Sequence, residues 1–74
     1  MLKAKEQLGL RIRYLRRQKG FSQEELAYHS EVNKNYISDL ERGQRNPTLE
    51  ILSRIAVGLD VTLSELFKGI VEYF

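Results

Sequence analysis

The chain is 74 residues long, 42% hydrophobic and 30% charged, with five glycines, one proline, no cysteine and a lone histidine, His29; this suits one folded domain over residues 1–74 and not a disordered chain. Disulfides, thiolate metal sites and thiol nucleophiles are excluded, and one histidine leaves a zinc site or a Ser/His/Asp triad almost nothing to be built from. Net charge is only +2, but residues 1–20 hold seven basic side chains against Glu6, a net +6, while residues 21–74 carry a net −4; such segregation suits a face offered to a polyanion, or a merely solvated basic helix.

Leu8, Ile12 and Leu15 recur at i, i+4 and i+7 and predict a first helix over about 4–18, stopped by Gly20. Leu10, Tyr14, Arg11, Arg13 and Arg17 lie off that stripe. Ser22-Gln-Glu-Glu25 is a capping box and predicts a second helix over about 23–29, with Leu26 and Ala27 inward. Asn33 is the next good N-cap. Tyr36, Ile37 and Leu40 then carry a third helix to Arg42, ended by Gly43. Three or four residues between the second and third helices force them to cross steeply. After Asn46-Pro47-Thr48, the residues Leu52, Ile55, Ala56 and Leu59 give a fourth helix its core face, to about Gly58. Thr62-Leu-Ser-Glu65 is a second capping box, opening a short fifth helix to about Lys68. An apolar tail, Gly69-Ile-Val-Glu-Tyr-Phe74, follows. No stretch alternates with period two, so the expected fold is all-α: five short helices and no strand. Phe21, Tyr28 and Phe67 are expected in the core, and His29 at the surface or its boundary.

Within residues 23–42, QEELAYHSEVNKNYISDLER, the apolar positions Leu26, Ala27, Val32, Ile37 and Leu40 have the spacing of a helix-turn-helix. Ala27 sits where the two helices meet, and a larger side chain would push them apart. Lys34, Asn35, Tyr36, Ser38 and Asp39 are left on the outward side.

The segments LRRQKGFSQEELA, NYISDLERGQRNPT and VTLSELF together resemble the Xre, or lambda-repressor-like, helix-turn-helix family over about residues 6–68. The short five-helix length is similar to the controller proteins of restriction–modification systems. Glu31 departs from the pattern, standing in the turn where many such motifs place glycine; a non-glycine residue can hold the left-handed conformation there at modest cost. The resemblance implies a DNA-binding regulator that takes a palindromic operator as a dimer. It places Lys34 and Asn35 at the start of the recognition helix, against base edges, with Tyr36 and Ser38 reaching a base or phosphate. Lysine can donate to guanine and asparagine can pair with adenine. Gln23 in this position bonds a phosphate and braces a recognition side chain. Asn33 is a cap or a phosphate ligand. Arg42, Arg45 and Asn46 are placed as phosphate clamps, and the start of the fourth helix at Thr48 as a phosphate seat. Arg17 is a further phosphate candidate; with Arg11, Arg13 and Lys19 it otherwise supplies long-range attraction or solvated surface. Arg16 and Glu41 match a family salt bridge between the first helix and the end of the third.

A single recognition helix reads too few base pairs to pick one site, so a two-fold pair is expected. A chain this small also gains stability from pairing. Val61, Leu63, Phe67, Ile70, Val71 and Tyr73 are the expected dimer surface, unless the tail folds back on its own subunit. The resemblance makes Glu24 and Glu25 candidate contacts for the sigma subunit of RNA polymerase; they are equally favourable charges at a helix start. No metal, cofactor, small-molecule ligand, membrane partner or enzymatic activity is expected, and the chain is expected in the cytoplasm. The competing readings are a phage-type repressor, the antitoxin of a toxin–antitoxin pair and, in another class, a protein-interaction module.

Overall fold

Short-range chemistry sets where each helix starts. In the computed structural model, which describes residues 2–71, there are five: α1 (Ala4–Gln18), α2 (Gln23–Ser30), α3 (Lys34–Glu41), α4 (Leu49–Leu59) and α5 (Leu63–Leu66). No strand is present among the described residues. Both predicted capping boxes form. Ser22 Oγ accepts from the Glu25 N–H at 3.0 Å while the Glu25 carboxylate accepts from the Ser22 N–H at 2.9 Å, and Thr62 and Glu65 repeat the exchange at 3.0 and 3.2 Å. Asn33 Oδ1 caps α3 by accepting from the Asn35 N–H at 2.7 Å. Thr48 Oγ1 caps α4 by accepting from the Ile51 N–H at 3.2 Å.

The left-handed turn is made with Glu31 itself, at φ 55° and ψ 41°. It lets the Val32 N–H reach the Ala27 carbonyl at 3.1 Å and closes α2 without glycine, at a cost of about 1 kcal/mol. Asp60 ends α4 in the same conformation.

Four boundaries differ from expectation: α2 runs one residue further, to Ser30. α3 stops at Glu41, with Arg42 as its C-cap, and α4 continues to Leu59. α5 stops at Leu66, before Phe67 and Lys68, which belong to the turn ahead of the left-handed Gly69.

Ile12, Leu26, Ile37, Leu40, Ile55, Leu59 and Leu66 are fully buried and draw one side chain or more from every helix. α2 lies between α3 and α4, α1 backs α3, and α5 packs on α1 and α4. Two expected core aromatics are not there. Tyr28 is 80% exposed, because α2 turns Leu26, Ala27 and Ser30 inward and leaves Tyr28 on the far side. Phe67 is 38% exposed, because α5 ends before it and turns Leu66, with Leu63 partly buried, to the core. Phe21 is partly buried against the core and stacks on exposed His29, with ring centres 4.7 Å apart.

Gly9 lets α1 approach the C-terminal end of α3. A Cβ there would lie 2.5 Å from the Leu40 carbonyl oxygen and 2.7 Å from that of Glu41. Both are main-chain atoms and cannot swing aside. Gly9→Ala is therefore expected to force α1 and α3 apart and to cost about 2 kcal/mol, since overpacking outweighs the gain in helix propensity. A thermal melt should show the midpoint lowered by about 10 °C; an unchanged or raised midpoint would contradict the close approach.

Candidate nucleic-acid interface

The two sides of α3 have opposite characters. Ile37, Leu40 and Glu41 are buried. Asn35, Ser38, Asp39 and Arg42 stand at i, i+3, i+4 and i+7 on the outer side, a single polar stripe. Lys34 and Asn35 are exposed at its N-terminal end, and Tyr36 and Ser38 are partly buried.

A buried ion pair fixes this helix to the rest of the domain. Arg16 Nε and Nη2 donate to the two Glu41 carboxylate oxygens at 2.6 and 3.0 Å, and Arg16 Nη1 donates to the Phe21 carbonyl at 2.8 Å. Both side chains are almost wholly removed from solvent. The hydrogen bond to Glu41 holds the Arg16 guanidinium above its ordinary pKa, overcoming the opposing effect of burial. Gln23 Nε2 donates to Glu41 Oε1 at 3.1 Å. Gln23 thus braces α3 through its last residue, Glu41. One carboxylate joins the last turn of α1, the first of α2 and the last of α3.

Arg42 and Arg45 flank the C-terminal end of the stripe. Arg42 Nη1 donates to Ser38 Oγ at 2.8 Å and Nη2 to Asp39 Oδ1 at 2.6 Å. Arg45 Nε and Nη2 donate to Asp39 Oδ2 at 3.3 and 3.1 Å. The Arg45 guanidinium also lies over the Tyr36 ring, 5.0 Å from its centre. Asn46 is exposed beside them and also borders an apolar groove of about 210 Å³ that reaches Phe67 and Ile70. Thr48 is exposed at the start of α4. Asn33 serves as a cap through Oδ1.

The basic residues of α1 divide. Arg13 and Arg17 are exposed. Arg11 keeps its charge but is held in place: its Nε and Nη2 donate to the Glu65 main-chain carbonyl at 3.1 and 2.8 Å and tie α1 to α5. Lys19 lies 3.8 Å from the Asp60 carboxylate. Nothing local in the sequence marks the Arg11 contact, whose partner is 54 residues away.

Around α5, Val61, Leu63 and Ile70 are partly buried against the core. Phe67 and Val71 remain outward, Val71 at 44% exposure. The tail folds back on its own subunit as far as it is described: Gln7 Nε2 donates to the Val71 carbonyl at 2.8 Å and Gln7 Oε1 accepts from the Val71 N–H at 2.9 Å. Tyr73 lies outside the described residues. At the start of α2, Glu25 is engaged by the cap, and the Ser22 N–H followed by the Ser22 hydroxyl holds its carboxylate below the ordinary glutamate range. That contribution to stability is present above the ordinary range and disappears as pH falls through the lowered value. Glu24 is exposed.

The helix-turn-helix family profile matches residues 12–66, which include α2, α3 and the loop to Thr48 but not Phe67 or the tail. The chain belongs to the Xre-type helix-turn-helix family. That family is one of DNA-binding transcription regulators and not of enzymes. The chain is 43% identical over 63 residues to the HTH-type transcriptional regulator SlrR of Bacillus subtilis, covering 84% of this chain and 41% of SlrR. It is 40% identical over 67 residues to the control protein C.MunI of a Mycoplasma species, covering 89% of this chain and 90% of that protein. The chain therefore spans under half the length of some curated relatives and nearly all of others. Among solved structures it superposes on the restriction–modification controller protein C.AhdI of Aeromonas hydrophila with a TM-score of 0.81 at 43% identity, covering 82% of this chain and 92% of that one. No helix among the described residues is long and apolar enough to cross a membrane.

Proposed function

We propose that this protein is a sequence-specific transcription regulator that binds a palindromic operator as a homodimer and acts as the controller of a restriction–modification system, regulating its own promoter. The observation that carries the reading is the exposed Lys34–Asn35 pair at the capped start of a helix locked to its scaffold by Arg16, Gln23 and Glu41. A rigid helix with donors at its N-terminal end is what a major groove accepts. Arg17, Arg42, Arg45, Asn46 and the free N–H groups after Thr48 then take phosphates and set the register. The match to small controller proteins over most of their own length favours that role above a phage repressor or an antitoxin.

The homodimer uses the surface around α5, where Phe67 and Val71 are outward. Glu24 is exposed at the start of α2 and is our candidate contact for the sigma subunit of polymerase; Glu25 is engaged by the cap.

The test is selection of bound duplexes from a randomised pool, followed by footprinting and sedimentation. The expected product is a palindrome whose half-sites lie about one helical turn, roughly 34 Å, apart. A pool that yields no preferred sequence would reject the reading. Phe67→Glu combined with Val71→Glu changes side chains outside the core, so the fold should be retained. Sedimentation should then show a monomer, with affinity for the selected duplex reduced at least about a hundredfold by loss of the second half-site. A double variant that still sediments as a dimer would move the interface elsewhere.

A further inference from the structure

Asp39 puts a negative charge on the stripe that the reading above presents to a polyanion. It is not in the core, since its side chain is 26% exposed, and it does not cap a helix. Its two oxygens are shared between Arg42 and Arg45, one each. Ser38 holds the second arm of Arg42, and the Tyr36 ring supports Arg45. Resting on the proposed operator reading, we propose that Asp39 is a positioning residue for sequence selectivity, acting through Arg42 and Arg45.

A free arginine on this surface would add attraction to any duplex. Its long side chain can follow a phosphate wherever the backbone runs, and that freedom is indifferent to sequence. Arg42, held at both ends of its fork, and Arg45, held along its Nε–Nη2 edge and over the Tyr36 ring, each meet a phosphate or base edge in one geometry only. Asp39 removes one positive charge from the surface and fixes the direction of the two that remain. On the matching duplex, the ordering of both side chains is already complete before binding. On another sequence the phosphates miss the forks and lie against an acidic group. Selectivity is then raised by penalising the wrong duplex, at the cost of general affinity. Tyr36 and Ser38, which the sequence places as DNA contacts, act here as supports for the same pair of arginines.

The test uses the selected duplex and a scrambled duplex of equal length, titrated across a salt series with wild type, Asp39→Asn and Asp39→Glu. Asp39→Asn keeps size and removes charge. Its affinity for the scrambled duplex should rise about threefold or more, its affinity for the selected duplex should not rise, and the ratio should fall at least tenfold. The salt slope on the scrambled duplex should steepen by about one per subunit, the signature of a released cation. Asp39→Glu restores the carboxylate and should recover most of the ratio. Should Asp39→Asn fail to fold, judged by its thermal melt, Arg42→Lys combined with Arg45→Lys keeps both charges and loses both forks; the ratio should again fall about tenfold. Equal changes on both duplexes in the variant that folds would overturn the role of Asp39 while leaving the operator reading intact. A wild-type protein without any preferred duplex would overturn both.

Discussion

Replacing Lys34 and Asn35 together by alanine is expected to abolish selective DNA binding while leaving the fold intact. Both side chains are exposed and neither makes a contact that the domain depends on, since the α3 cap comes from the Asn33 side chain and uses only the main-chain N–H of Asn35. Each good base contact discriminates by about 1–3 kcal/mol. Two such residues on each of two subunits give four contacts, so preference for the selected duplex over a scrambled one should fall on the order of a thousandfold or more. The loss of Lys34 should also flatten the salt dependence slightly, because one cation leaves each half-site. Arg17→Ala is the contrasting variant: it should weaken binding to all duplexes alike, as a phosphate contact does. Footprinting of the double variant decides the matter. Intact protection of the selected site would remove the recognition helix from the account.

The largest effect on stability is expected from Glu41→Ala. Its carboxylate accepts from Arg16 twice and from Gln23 once, in a site almost closed to water. Removing it leaves the buried Arg16 charge with only the Phe21 carbonyl. Breaking a buried pair from one side costs about 3 kcal/mol or more. A 74-residue domain has a total stability of about 4–11 kcal/mol. The melting midpoint should therefore drop by about 15 °C. The loss is caused by the stranded charge and not by the absence of attraction alone, so replacing both partners with apolar residues, Arg16→Met with Glu41→Leu, should recover most of it. A Glu41→Ala protein within about 1 kcal/mol of wild type would show that water or a rearranged side chain satisfies Arg16. DNA binding by the apolar double variant is a separate readout. Gln23 there has lost its partner, so selectivity should be impaired even where stability returns.

Local chemistry was legible in the sequence because each signal and its partner lie within a few residues. Ser22 with Glu25, Thr62 with Glu65 and the Asn33 cap all needed only three residues of spacing. The helix-turn-helix followed from Leu26, Ala27, Val32, Ile37 and Leu40, whose burial obeys helical period. The pair of Arg16 and Glu41, 25 residues apart, was reached through the family resemblance and not through period. Where neither guide applied, the reading failed. Gly9 looks like an ordinary helix residue until the carbonyls of Leu40 and Glu41 are brought beside it. Arg11 looks like one more solvated base until α5 supplies the Glu65 carbonyl. Tyr28 has the aromatic character of a core residue, but α2 is only eight residues long and Leu26 and Ala27 already define its inward side. Asp39 was seen to face outward, yet its grip on two arginines depends on the chain turning back after Gly43 to bring Arg45 within reach.

The junction at Glu41 has a mechanical meaning as well. Three helices share one carboxylate, so α3 has no hinge of its own. In the homodimer proposed above, two such helices joined through α5 would act as calipers of set width. When an operator's half-sites are spaced a little differently from that width, the compliance must come from the nucleic acid. Easily deformed pyrimidine–purine steps in the spacer would then favour binding at positions that no side chain approaches.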